Sequence, residues 1–103
     1  MTEAEEFYRK GEEAFLEQEY EEALVCLEKA LELQPDFAEA YACRARVHAA
    51  MKDYQRAIGD FDAAIERKPA VEYYLERGIA YGYLENFRRA VKEFDRVIEI
   101  EPD

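Results

Sequence analysis

YEEALVCLEKALELQP, residues 20–35, returns twice along the chain, as YQRAIGDFDAAIERKP at 54–69 and FRRAVKEFDRVIEIEP at 87–102. The three stretches align without a gap. Ala23 precedes Ala57 by 34 residues, Ala57 precedes Ala90 by 33, and Pro35, Pro69 and Pro102 close the copies at the same spacings. The upstream halves follow suit: FYRKGEEAFLEQE at 7–19, YACRARVHAAMKD at 41–53 and YLERGIAYGYLEN at 74–86. Self-similarity at such a period marks an architecture of stacked supersecondary units.

Each half has the spacing of an amphipathic helix, with Phe7, Gly11 and Ala14 in the first and Ala23, Leu27, Ala30 and Leu31 in its partner. Thr2-x-x-Glu5 has the form of a capping box and predicts a helix start at the beginning of the chain. Six helices are expected, near 3–17, 20–33, 37–50, 54–67, 70–83 and 87–100. The short connections make neighbouring helices antiparallel.

The pattern resembles the tetratricopeptide repeat, in which a large apolar residue, leucine, glycine and an aromatic are followed by alanine, an aromatic and proline. Phe7, Gly11, Tyr20, Ala23, Leu27, Ala30 and Pro35 carry it in the first copy. Tyr41, Ala45, Tyr54, Ala57, Phe61, Ala64 and Pro69 carry it in the second, and Tyr74, Gly78, Phe87, Ala90, Phe94 and Pro102 in the third. The resemblance spans essentially the whole chain, read as one domain, 1–103, with copies at about 4–36, 37–70 and 71–103. It implies an all-α fold, an α-solenoid of three helix-turn-helix repeats in a right-handed superhelix with a concave inner face. Gly11, Ala45 and Gly78 would let the helices of a pair approach closely. Three departures carry expectations. Lys10, Arg44 and Arg77 replace the pattern's leucine and are expected to bury their stems with the charge in water. Val97 replaces an alanine, and the residue missing after Pro69 is expected to alter the twist between the second and third copies.

Several functions are disfavoured by composition. The net charge is −11, with −9 in residues 1–36, +1 in 37–69 and −3 in 70–103. An acidic first third repels phosphate backbones and anionic lipid, so neither nucleic acid nor a membrane is an expected partner. No apolar run approaches a membrane span, and MTEAEEF lacks the order of a signal peptide, so a cytoplasmic location is expected. Cys26 and Cys43 read as small buried hydrophobes. His48, the single histidine, is expected on the packing side, which leaves no basis for a His-based metal cluster or catalytic pair. With no glycine-rich phosphate loop or nucleophile elbow either, no enzyme activity, metal or cofactor is expected.

The resemblance implies that the first helix of each pair lines the groove. The subgroup that grips chaperone tails forks terminal carboxylates with Lys and Asn, then Asn, then Lys and Arg from successive copies. Those positions fall on Tyr8, Glu12, Cys43, Glu72 and Glu76, where no donor survives and three residues are acids. The groove is expected instead to be acidic and apolar. Its candidates are Glu5, Tyr8, Glu12 and Phe15; Glu39, Ala42, Cys43, Arg46 and Ala49; and Glu72, Leu75, Glu76, Ile79 and Tyr83. Such a surface suits a partner segment with Lys or Arg beside apolar anchors, and Cys43 is expected to face the groove. The leading expectation is thus a protein-interaction module. The alternative is a self-assembling scaffold using Val91, Phe94 and Ile98 on the last helix, either in a two-fold homodimer or head to tail. In the latter, the acidic first copy would meet Arg88, Arg89, Lys92 and Arg96, which also have Glu85, Glu93 and Asp95 in reach on a solvated face.

Overall fold

A computed structural model describes residues 1–102 and contains α1 (Glu3–Leu16), α2 (Tyr20–Leu33), α3 (Ala38–Ala50), α4 (Tyr54–Arg67), α5 (Val71–Tyr83) and α6 (Phe87–Ile100). The expected boundaries agree within one residue. Local chemistry fixes the starts. The Thr2 hydroxyl accepts from the Glu5 amide at 3.1 Å while Glu5 Oε1 accepts from the Thr2 amide at 2.8 Å, closing the capping box. Asp53 and Asn86 accept from the Arg56 and Arg89 amides at 3.2 and 3.4 Å, whereas Glu19 makes no such cap for α2.

Within each pair the chain reverses through one left-handed residue, Gln18, Lys52 or Glu85, at φ of 63°, 65° and 61°. The carbonyls of Ala14, His48 and Tyr81 accept from the amides of Glu19, Asp53 and Asn86 at 2.8–2.9 Å, satisfying groups that the helix end would leave bare. The pairs pack tightly because of what is small. A Cβ on Gly11 would lie 2.8 Å from Leu27 Cδ2, and one on Gly78 would lie 2.7 Å from Phe94 Cε1. Ala23, Ala30, Ala57 and Ala64 are fully buried beside them. Between pairs, α2 packs on α3 and α4 on α5. The result is an all-α solenoid of three helix-turn-helix repeats measuring 38 × 24 × 21 Å, with no strand among the described residues.

Two expectations need correcting. Arg44 and Arg77 spend their charges on buried acids rather than mainly on water. Arg44 Nε and NH2 donate to Asp60 Oδ2 and Oδ1 at 2.9 and 2.8 Å, while Arg77 Nε pairs with Glu93 and its NH1 donates to Asp62 Oδ1 at 2.7 Å. Asp60 and Glu93 are buried, and a forked guanidinium can satisfy such acids where a hydrated charge could not. In the first copy the acid's place is Cys26, and only Lys10 stays exposed, near the Phe7 ring. Phe94, in turn, is not part of a free terminal face. It lodges between α5 and α6 on Gly78 and leaves Val91 and Ile98 exposed, with Phe87 as a third exposed member.

The missing residue has a local signature. Gln34–Phe37 joins α2 to α3, but only Lys68–Ala70 joins α4 to α5. Phe37 is buried against Tyr8, ring centroids 4.9 Å apart, and Ala70 takes its place at the second junction.

Candidate functional site

Four helices enclose a recess of about 350 Å³. Phe15 comes from α1, Arg46, Ala49 and Ala50 from α3, Tyr54 and Phe61 from α4, and Glu76, Ile79, Ala80 and Tyr83 from α5. The depth follows from residue size, since Ala49 and Ala50 stand where a longer side chain would fill the space. Tyr54 and Tyr83 form one wall as parallel rings 4.6 Å apart with an interplanar angle of 2°. Arg46 Nε donates to Glu76 Oε2 at 2.7 Å across α3 and α5, half-buried. Burial works against the Arg46 charge, but the hydrogen bond and attraction of Glu76 outweigh it and raise its pKa. The remaining lining is apolar.

Of the groove candidates, Phe15, Arg46, Ala49, Glu76, Ile79 and Tyr83 come together here. The others do not. Glu5 is engaged in the α1 capping box, and Glu39 lies 3.7 Å from Lys68 Nζ. Tyr8 is half-buried and donates to Glu12 Oε2 at 3.1 Å; burial first, and then Glu12, push its phenol up. Glu72 and Leu75 are exposed outside the recess, and Ala42 is buried.

Cys43 is a correction, because it does not face the groove. It is only 3% exposed and belongs to the first core cluster with Phe37, Ala40 and Val47. Burial first and Glu12 second push its thiol up to about 11, with Arg46 opposing. The reason is positional. α3 is the middle of the three inner helices and is covered from both sides, whereas the equivalent position on α1, Arg9, is exposed. The acidity of the face is also lower than the residue types imply, since Glu39 and Glu76 each have a basic partner, Lys68 and Arg46.

Ala50, Tyr54, Phe61 and Ala80 were absent from the groove candidates. Tyr54 was legible as the aromatic that opens the second helix of each pair. Its counterpart Tyr20 packs on Phe15 at 6.1 Å, so this position repeatedly faces the inner side. On the outer side, His48 Nε2 lies 3.7 Å from Asp60 Oδ2 and is mostly buried, and burial lowers its pKa. Among the described residues no three potential ligands gather for a metal ion, and no helix is long and apolar enough to cross a membrane.

Comparison with known proteins places this geometry. The "TPR repeat" family model matches residues 11–52, and "Tetratricopeptide repeat" models match 38–70 and 71–103. A Protein SGT1 homolog of Oryza sativa subsp. japonica is 36% identical over 72 residues, covering 69% of this chain and 20% of that protein. The human Superkiller complex protein 3 is 35% identical over 65 residues, covering 62% of this chain and 4% of that protein. The chain thus spans a fifth or less of these curated relatives. Among solved structures, the first TPR of Spaghetti (RPAP3) bound to the HSP90 peptide SRMEEVD superposes with a TM-score of 0.92 at 28% identity, covering 97% of this chain and 80% of that one. MamA superposes at 0.93 with 30% identity, covering 96% and 58%.

Proposed function

Because the chain belongs to the tetratricopeptide repeat family, we propose that it is a non-enzymatic interaction module whose inner face receives a segment of a partner protein. The recess between Phe15, Ala49, Tyr54, Ile79 and Tyr83 carries this reading, since it is apolar, open and sized for one bulky side chain. The RPAP3 domain takes a peptide ending in acidic residues. Here the positions where the family resemblance sets the donors for a chaperone tail hold Tyr8, Glu12, Cys43, Glu72 and Glu76, so the favoured segment is of another class. It sets an apolar side chain in the recess and carries Lys or Arg toward Glu12 and Glu72. A reducing, cytosolic setting suits the two unpaired thiols.

Fluorescence anisotropy tests this with two labelled peptides built around one phenylalanine. One has lysines on both sides, and the other has glutamates and a free terminal carboxylate. The lysine peptide should bind, and Ile79→Glu should abolish that binding. Preference for the acidic peptide, or indifference to Ile79→Glu, would refute the assignment.

A further inference from the structure

Arg44, Arg46 and Arg77 each tie two helices together through carboxylates, but Arg46 is only half used. Arg44 donates through Nε and NH2 to both oxygens of Asp60, and Arg77 donates through Nε to Glu93 and through NH1 to Asp62. Arg46 makes a single hydrogen bond among the described residues, from Nε to Glu76 Oε2 at 2.7 Å. A guanidinium carries five N–H donors and a carboxylate two acceptor oxygens, so the terminal nitrogens of Arg46 and Glu76 Oε1 have capacity left over. The two side chains are 35% and 30% exposed, and water meets that capacity while the recess is open. A partner that closes the recess removes the water, and a charged donor and acceptor left unanswered then oppose binding.

The half-used pair stands at one end of the recess. On α3 it lies one turn before Ala49 and Ala50, and on α5 one turn before Ile79 and Ala80, which is about 5 Å along the helix axes. These residues, with buried Phe61 behind them and exposed Tyr83 at the far end, bound an apolar space with room for a ring. The chemistry of a matching side chain is limited from both sides. A carboxylate would meet Arg46 but be repelled by Glu76, and a cation would meet the reverse. A carboxamide answers both groups but lacks the body to fill the apolar space. An indole N–H donates to Glu76 Oε1 and leaves Arg46 without an acceptor. A phenol donates its O–H to Glu76 Oε1 and accepts from an Arg46 terminal nitrogen through the same oxygen, while its ring occupies the space one turn away.

We propose that the recess is selective for tyrosine: the partner segment inserts one tyrosine whose ring lies against Ala49, Ile79 and Tyr83 and whose hydroxyl bridges Arg46 and Glu76. This rests on the inner recess being the seat of the partner and adds which side chain the seat takes. Arg46 and Glu76 are then the specificity-determining residues. A site arranged around a hydroxyl rejects the analogue that lacks it, because its own polar groups are left unpaired.

The probes are three labelled, lysine-flanked peptides that differ only in the central residue: tyrosine, phenylalanine or O-methyltyrosine. By anisotropy the tyrosine peptide should bind about tenfold tighter than the phenylalanine peptide, the scale of one hydrogen bond to a charged group. O-methyltyrosine, which cannot donate, should fall to the phenylalanine level, a comparison that needs no protein variant. Arg46→Met combined with Glu76→Met should keep phenylalanine binding and erase the preference for tyrosine, with circular dichroism showing that the helices persist. In the isotopically labelled protein, the Arg46 Nε–H signal should shift far more with the tyrosine peptide than with the phenylalanine peptide. Equal binding of tyrosine and phenylalanine, or a preference that survives the double variant, would overturn the tyrosine assignment and leave the recess as the partner's seat. Binding of neither peptide would sink both readings. Self-association of the free protein that is lost with Ile79→Glu would also overturn the assignment, because a second copy would then fill the recess.

Discussion

Arg44 and Asp60 join α3 to α4 by two hydrogen bonds of 2.9 and 2.8 Å, sixteen residues apart, and Arg77 reaches Glu93 at the same separation one unit later through its Nε, with NH1 turned to Asp62. These pairs stand where the repeat pattern has an apolar contact. Asp60→Ala should cost about 1.5–3 kcal/mol, because it strands a largely buried guanidinium. The loss should fall below the roughly 3–5 kcal/mol of a fully buried pair, since Arg44 retains some contact with water. Arg44→Leu combined with Asp60→Ala should recover most of that loss, and urea unfolding of the four species gives the coupling directly.

The glycines divide by what surrounds them. Gly11→Ala and Gly78→Ala press a methyl group into Leu27 and Phe94 and should each cost about 1–3 kcal/mol. Gly59 lies within α4 with nothing within 4 Å of an added Cβ, so Gly59→Ala should stabilise by about 0.5–1 kcal/mol. Thermal unfolding of the three variants would show opposite signs.

The turn residues carry strain that glycine would relieve. Lys52 is exposed and holds φ of 65° without glycine's freedom. Lys52→Gly should therefore raise stability by about 0.5–1 kcal/mol, the left-handed penalty less glycine's added entropy. Lys52→Val should lower it, and chemical denaturation midpoints decide the matter.

The two thiols should behave unequally. Cys26 is half-buried and Cys43 buried, so Ellman's reagent at mild pH should titrate Cys26 first and reach Cys43 only on unfolding. Folding holds the Cys43 thiol at about 11, above its ordinary value of 9.0, so the unfolded chain gives up that proton first as pH rises. Its contribution to stability is complete below pH 9 and is lost progressively toward pH 11. The denaturation midpoint should fall more steeply across that window in the native sequence than in Cys43→Ala.

Helix number, boundaries and pairing were legible because one pattern is written three times, and each copy checks the others. What a single copy does not reveal is its neighbours. Cys43 reads as inner-facing by register, yet α3 lies between α1 and α5 and the position is covered. Arg44 and Arg77 read as surface bases until the acids sixteen residues on, Asp60 and Glu93, are set beside them; that recurrence was present in the sequence and is the signal that would have found both pairs. The recess was half-legible. Its inner-helix residues follow from the repeat; Tyr54 is marked by the repeat as the aromatic that opens a second helix, but its place in the recess wall rests on its stacking on Tyr83.

That parallel stack has an optical consequence. The chain contains eight tyrosines and no tryptophan, so its near-ultraviolet spectrum is not masked by indole. Two parallel, stacked phenol rings with centroids 4.6 Å apart couple their transitions, and they do so in the wall of the recess. A side chain seated against Tyr83 would change that coupling, giving the unlabelled protein an intrinsic spectroscopic reporter of its own occupancy.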